Sequence, residues 1–315
     1  MPAPPATGQR IGWTDLPAHV QRGIEAVLGD RVVVAESQAG GFSPGTADRI
    51  RTESGRTAFV KAVSPEQNPD SPDLLRREAD HLATLSAASP RVPRPLGRYD
   101  DGHWIALAME EVDGRCPPVP WSGEHVDAAM TTLDALADDL TPSPVPGLAP
   151  AGEALESLFA GWSRLRDQPH PGLDPWVASH LDELIVRSED ARDSLDGTTV
   201  VHLDLRADNL LVRADGSVVV VDWPWAVVGP DWLDRLLLMI NIDLYGGHDP
   251  DDLVARYLPE VDPTLVTNCL AGMCAFFTDA GRLPSAPGLP TLRAFQQAQA
   301  DSTTAWLRRR LQARA

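Results

Sequence analysis

Residues 198–225 read TTVVHLDLRADNLLVRADGSVVVVDWPW, and no other stretch constrains the reading of the chain as tightly. An apolar pair, Val200-Val201, gives way to a polar loop carrying His202, Asp204, Asp208 and Asn209, after which β-rich arms follow at 210–213 and 218–221. Asp215-Gly216 stands between the arms. Gly tolerates positive φ and Asp bonds its own backbone, so Asp-Gly flanked in this way predicts a tight hairpin. The hairpin returns the chain to the loop and presents Asp222 beside it.

Three oxygen-bearing side chains are thereby expected at one mouth: Asp204 in the loop, Asn209 five positions on, and Asp222 at the end of the hairpin. A carboxylate that can meet an acceptor hydroxyl, next to an Asn and an Asp able to ligate Mg2+, is the set that phosphoryl transfer from a nucleotide requires. A His-x-Asp pair could instead hold a transition metal, but no third ligand of suitable spacing accompanies His202 and Asp204.

His202-x-Asp204-x-x-x-x-Asn209 followed by Asp222 resembles the catalytic loop and metal-binding aspartate of the protein-kinase-like superfamily. The wording HLDLRADNLL, then VVVVDWPWA, is most similar to its aminoglycoside phosphotransferase and choline kinase branch. The resemblance spans residues 30–240 and implies an α+β, protein-kinase-like bilobal fold. A small β-rich N-terminal lobe at 1–112 would bind nucleotide, and a larger, mainly helical lobe at 113–315 would supply catalysis and the acceptor site. It also implies Asp204 as the catalytic carboxylate, Asn209 and Asp222 as metal ligands, and ATP with Mg2+ as cofactors, GTP remaining open. His202 is expected to be structural and Asp208 a loop cap. Asp234 is either a brace for the catalytic loop or a plain helix N-terminal acid.

Two departures accompany the resemblance. Leu203 stands where Gly or Arg is common, and Pro224 replaces the Gly of the protein-kinase metal-binding triplet. With no long activation loop between Asp222 and Asp234, a small-molecule kinase is expected rather than a regulated protein kinase. The competing reading is a catalytically dead, nucleotide-binding homologue with a regulatory role. Such a protein would be expected to lack Lys61, Asp204, Asn209 or Asp222, and all four are present.

Composition agrees with that class. A chain of 315 residues, 43% of them hydrophobic, can bury a substantial core. The net charge of -18 argues against a nucleic-acid partner, although acidity can also serve solubility alone. No apolar run approaches the roughly 20 residues of a membrane span. The three cysteines lack metal-ligand spacing, so a reduced, cytoplasmic protein with no evident protein partner is expected.

Upstream, the Pro-rich MPAPPATGQR reads as a loose start and 15–28 as a helix with Gly29 at its C-cap. Stretches at 31–36, 47–52 and 57–63 are β-like, with QAGGFSPG at 38–45 between the first two. Strand, Gly-rich turn, strand lets backbone amides close over phosphates, because Gly has no Cβ to hold them away. Gly40, Gly41, Ser43 and Gly45 are the candidates. They fit neither the Walker A nor the Rossmann spacing, and a plain hairpin would use the same residues.

Lys61 lies on the third strand, where the superfamily places the lysine that holds the α- and β-phosphates. A lone strand lysine is as a rule a solvated edge residue, but Glu78 changes the reading. Ser71 and Pro72 look like N-cap and N1 of a helix on which Leu74, Glu78 and Leu82 share one face. A carboxylate on that apolar face needs a cation, and Lys61 is the candidate. The stretch 104–112 reads as a buried strand and resembles the interlobe hinge, where backbone near Glu110 and Val112 would bond the base.

Apolar periodicity predicts further helices at 126–140, 155–165, 176–185, 235–244, 261–280 and 289–311, with Trp162 and Trp176 in the core. The arginine run at 308–310 reads as a C-terminal charge cluster. Between Asp222 and Asp279 ten acids face two bases, a balance of -8. Asp243, Asp249, Asp251 and Asp252 cluster around Tyr245-Gly-Gly-His248, either attracting a cationic acceptor or forming a solvated acidic loop. The small, hydroxylated acceptor could be an aminoglycoside or other antibiotic, choline or ethanolamine, homoserine, or a sugar.

Overall fold

Pro17, with φ -54, is the N-cap of the first helix, so α1 (Ala18–Leu28) starts three residues later than the apolar periodicity predicts. A short 3-10 turn, Trp13–Asp15, takes up the difference. The computed structural model describes residues 4–313. The start is not loose throughout. Thr7 and Arg10 form parallel bridges to Gly41 and Gly45, which the absence of any periodicity at 4–10 concealed. Residues 1–3 of that start lie outside the described residues.

Five strands follow: β1 (Val32–Ser37), β2 (Thr46–Thr52), β3 (Thr57–Val63), β4 (Pro95–Asp100) and β5 (Ile105–Met109), with α2 (Ser71–Ala88) between β3 and β4. They form one sheet in the order β1-β2-β3-β5-β4, antiparallel at each pairing. The pleat sends alternate side chains to opposite faces. Val60, Ala62, Ala106 and Ala108 meet Val20, Ile24 and Leu28 of α1 on one side. Phe59, Val63, Ile105, Leu107 and Met109 face the other way, into the core that includes Leu75, Leu82 and Leu85 of α2. Lys61 shares the parity of Phe59 and Val63. On α2, Leu75 rather than Leu74 joins the buried face with Glu78 and Leu82.

The remaining elements are α3 (Gly123–Asp139), α4 (Ala151–Phe159), α5 (Gly161–Asp167), α6 (Pro175–Arg192), β6 (Thr199–Val201), β7 (Leu210–Val212), β8 (Val218–Val220), β9 (Val227–Gly229), α7 (Leu233–Tyr245), α8 (Pro250–Tyr257), α9 (Pro263–Gly281) and α10 (Leu292–Gln312). The hairpin forms as predicted, with Leu210 opposite Val220 and Asp215 accepting from the Ser217 amide at 2.9 Å. The helix predicted at 155–165 is two helices broken at Ala160. Trp162 is fully buried and donates to the Ala271 carbonyl at 2.9 Å. Trp176 is only half-buried, stacked on His180 beneath the Arg308 guanidinium.

The acidic segment was not legible as a helix, yet Asp249 caps α8 by accepting from the Asp251 amide at 2.8 Å. The arginine run also differs from its expected part. Arg310 is buried and donates to Asp251, Thr267 Oγ1 and the Pro263 carbonyl, while Arg308 donates to Asp174. These arginines pin α10 to its neighbours. Among the described residues no helix is long and apolar enough to cross a membrane.

α9 is buried along most of its length, and Gly272 lets α4 lie against it: a Cβ there would stand 2.5 Å from the Phe159 ring. Gly272→Ala therefore sets two effects against each other. Helix propensity favours Ala by about 1 kcal/mol, and overpacking costs about 1–3 kcal/mol. A net loss of stability is expected, read as a lower urea midpoint at unchanged slope. A higher midpoint would mean that the helices separate freely.

Candidate active site

β3 brings Lys61 beneath α2, and the ammonium lies between two carboxylates. Nζ donates to Glu78 Oε1 and Oε2 at 2.9 and 2.8 Å and to Asp222 Oδ1 at 2.7 Å. Burial alone would lower the Lys61 pKa, but the adjacent Asp222 and Glu78 outweigh it and raise it. Burial likewise pushes the Asp222 carboxyl up, and the same ammonium brings it below the usual carboxylate range. Burial pushes the Glu78 carboxyl up, against the pull of Lys61, so one ammonium serves two carboxylates.

The loop before β7 is built around His202, which is completely buried. Its Nδ1 accepts from the Asp204 amide at 3.2 Å and its Nε2 faces the Val221 carbonyl at 3.0 Å, so the proton resides on Nε2. Burial lowers the His202 pKa and keeps the ring neutral. Asp234 accepts from the amides of His202 at 2.7 Å and Leu203 at 3.1 Å, holding Leu203 at φ 65. This is the bracing geometry, beyond what a helix N-terminal acid alone would make. Asp204 projects from the braced loop, with Asn209 Nδ2 donating to its carbonyl at 2.7 Å and its Oδ2 at 3.3 Å.

Arg206 was not singled out by the sequence reading. Its Nη1 donates to both oxygens of Asp204 at 2.6 and 2.8 Å, and its Nε and Nη2 grip Asp208 at 2.9 and 3.0 Å. Asp208 is thus a partner for Arg206 rather than a loop cap. Burial pushes the Asp204 carboxyl up to about 6, against the pull of Arg206.

Asn209 Oδ1 and the second oxygen of Asp222 have no hydrogen-bond partner among the described residues. One carboxylate and one amide oxygen suit Mg2+, which is typically held by one or two carboxylates plus substrate phosphates. No group of three or more His, Cys, Asp or Glu that could hold a metal occurs among the described residues, so a transition-metal site on His202 has no support.

The glycine loop joins this site only in part. Ser43 lines the cleft with Lys61, whereas Gly40, Gly41 and Gly45 do not. Gly45, at φ 90, passes β3 so closely that a Cβ would stand 2.3 Å from the Ala62 carbonyl. Arg10, also missed, donates to the carbonyls of Ser43 and Gly40 and fixes the loop from behind. The Phe42 ring meets Phe295 of α10 edge-on at 5.2 Å, and the Arg206 guanidinium lies 5.2 Å from its centre.

Glu110 and Val112 stand apart from this cleft, past the end of β5. The Glu110 amide donates to the Arg94 carbonyl at 2.9 Å. Its carbonyl, and the Val112 amide two residues on, carry no hydrogen bond among the described residues. A free acceptor followed by a free donor is a pattern that a purine edge can complete.

A cavity of about 860 Å3 opens at Lys61, Asp204 and Asp222 and runs between α2 and helices α4, α7, α9 and α10. The acidic cluster does not reach it. Asp243 accepts from Ser302, Asp251 pairs with Arg310 and Asp249 caps α8, while Asp252 is exposed; none of the four lines the cavity.

Asp204 is charged above about pH 6, so a reaction needing it as a proton acceptor loses kcat/KM as pH falls through that value. Replacing Arg206 with Met removes the charge that stabilises the carboxylate, and the acid limb of the profile is expected to move to higher pH. An unmoved limb would show that the titrating group is not Asp204.

A sequence profile described as the phosphotransferase enzyme family matches residues 39–261. No curated protein matches the chain in sequence. Among solved structures it is similar to an aminoglycoside phosphotransferase from Alicyclobacillus acidocaldarius, at 18% identity and TM-score 0.59, covering 92% of this chain and 95% of that one. It is also similar to a choline kinase from Streptococcus pneumoniae, at 13% identity and TM-score 0.57, covering 91% and 98%. A spectinomycin phosphotransferase solved with ADP and spectinomycin matches at 14% identity and TM-score 0.55, covering 94% and 100%. Those identities speak to the fold, and the profile, which covers most of the chain and spans Lys61, the loop at 202–209 and Asp222, establishes that the protein belongs to the phosphotransferase enzyme family.

Proposed function

We propose that the protein transfers the γ-phosphate of ATP to a hydroxyl group of a small-molecule acceptor. The observation that carries this reading is the convergence of Asp204, Asp222 and the Lys61–Glu78 pair on one cavity. The acceptor oxygen bonds to the γ-phosphorus as the bond from that phosphorus to the β–γ bridging oxygen breaks, its electrons leaving with ADP. The hydroxyl proton passes to Asp204, whose pKa of about 6 makes it a better base than an exposed aspartate.

Lys61, positioned by Glu78, would hold the α- and β-phosphates, and of the glycine loop Ser43 would cover them, since Gly40, Gly41 and Gly45 stay off the cleft and the Gly45 amide is given to the Gln9 carbonyl at 3.2 Å. Asn209 and Asp222 would hold Mg2+. The ion, when bound, neutralises charge on the phosphate oxygens and the leaving group. At the far end the free Glu110 carbonyl and Val112 amide suit the amino group and ring nitrogen of adenine, which favours ATP over GTP. On this reading residues 1–112 form the nucleotide lobe and 113–315 the catalytic and acceptor lobe. Three free thiols, Cys116, Cys269 and Cys274, suit a reducing cytoplasm.

Asp204→Asn is expected to leave the Kd for ATP with Mg2+ nearly unchanged and to lower turnover by about 100- to 10,000-fold, measured as ADP release. Comparable turnover would remove Asp204 from the chemistry. In calorimetric titrations, Asp222→Ala is expected to abolish the Mg2+ dependence of ATP binding, and a retained dependence would place the ion elsewhere. A double-mutant cycle of Lys61→Met and Glu78→Gln on turnover should be strongly non-additive, since residues acting as a unit lose most function at the first substitution. Additive losses would separate the two residues functionally.

A further inference from the structure

The cavity wall changes character with distance from the catalytic acid. Beyond Asp204 it is lined by Leu155 and Leu158 of α4, Ile240 of α7, Phe276 and Phe277 of α9, and Phe295 of α10. Its charged residues are four acids, Asp70, Glu78, Asp204 and Asp222, and four bases, Lys61, Arg77, Arg206 and Arg293. Lys61 pairs with Glu78 and with one oxygen of Asp222, whose other oxygen is kept for the Mg2+ of the phosphotransfer reading, and Arg206 pairs with Asp204. What remains for an acceptor is Asp70, at the exposed rim, against Arg77 and Arg293. A polyammonium molecule would find no free carboxylate in the apolar part and would leave its charges buried without partners.

One polar feature interrupts the apolar wall. Gln299 of α10 is 8% exposed and lines the cavity, yet its amide has no hydrogen-bond partner among the described residues. One turn earlier, Gln296 accepts from Arg293 at 2.8 Å through Oε1 and leaves its own amide N–H groups unused. Neither amide is sealed off: both face the cavity, where a bound molecule can take up the groups that otherwise meet water. Paired with the volume, they describe a pocket for a molecule with a bulky apolar body and a few polar groups, the usual make-up of a small-molecule site.

We infer that the acceptor is an uncharged alcohol with a large apolar body, held by the α4, α7, α9 and α10 wall and hydrogen-bonded by Gln299. The inference rests on the phosphotransfer reading and narrows it. It also displaces the cationic acceptor that the acidic sequence suggested. An aminoglycoside or choline has the wrong charge for the wall, and choline fills little of the volume. The transfer itself is unchanged: the acceptor oxygen takes the γ-phosphoryl group, ADP leaves, and the proton goes to Asp204.

The test uses the full chain with methyl, butyl, hexyl and octyl β-glucosides below their micelle concentrations, and kanamycin and choline as charged comparators. Calorimetric binding and ADP release with ATP and Mg2+ are both measured. Affinity for the glucosides is expected to rise by about fourfold per added methylene until the cavity is filled, because each buried methylene adds a fixed transfer free energy. Neither kanamycin nor choline should bind saturably. Gln299→Leu should weaken glucoside binding about tenfold while the KM for ATP stays unchanged, as loss of one buried hydrogen bond predicts.

Glucoside affinity that does not depend on chain length, or saturable binding of kanamycin or choline that weakens with added salt, would overturn the inference. The phosphotransfer reading is judged separately. Failure of ATP and Mg2+ to bind would defeat that reading and leave the chain-length result standing on its own, whereas ATP binding with kanamycin as the preferred acceptor would defeat only the acceptor class.

Discussion

A single ammonium shared by two carboxylates holds the β-rich and helical parts of the molecule in register. Lys61 comes from the sheet, Glu78 from the helix packed on it, and Asp222 from the hairpin of the helical part. A buried ion without its partner costs several kcal/mol, so each element is constrained by the other two. The strand must present odd-numbered residues towards α2. The helix must turn Glu78 inward along a face otherwise made of Leu75, Leu82 and Leu85. The hairpin must end where Asp222 meets the same cation.

The loop at 202–209 and the end of the hairpin accept backbone strain to satisfy that geometry. Leu203 at φ 65 and Asp222 at φ 72 are the only non-glycine residues with positive φ among the described residues, and they flank Asp204 in space. Such conformations cost about 1–2 kcal/mol each. Asp234 offsets one by gripping the two amides at the bend, and Lys61 fixes the side chain of the other. His202 completes the frame from inside, edge-on to the Trp223 ring at 4.6 Å. Strain located at this loop, and supported from three sides, keeps the carboxylate of Asp204 in place before any substrate arrives.

Much of this was legible because its signals are local. The hairpin follows from Asp-Gly between β-rich arms, and the Lys61–Glu78 contact from one carboxylate on an apolar helical face read together with the family resemblance of the loop at 202–209. What escaped the sequence depends on pairs far apart in the chain. Arg10 holds carbonyls some thirty residues away and sits in a segment with no periodicity. Arg310 is buried against Asp251, which turns an acid of an apparent surface cluster into a packing element. Asp249-Pro250 is itself an N-cap and N1 signal for α8, and the density of acids around it hid that reading. Gln299 could not be picked out either, because a helix buried on several sides gives no periodic sign of which residue faces a cavity.

The contact between Phe42 and Phe295 joins the tip of the glycine loop to the helix that carries Gln296 and Gln299. One ring belongs to the side of the cleft that would cover phosphates, and the other to the wall of the long cavity. Movement of either side breaks the same edge-to-face pair. A ring pair of this kind is worth about 0.5–1.5 kcal/mol, which sets the size of the coupling it can carry between the loop and α10.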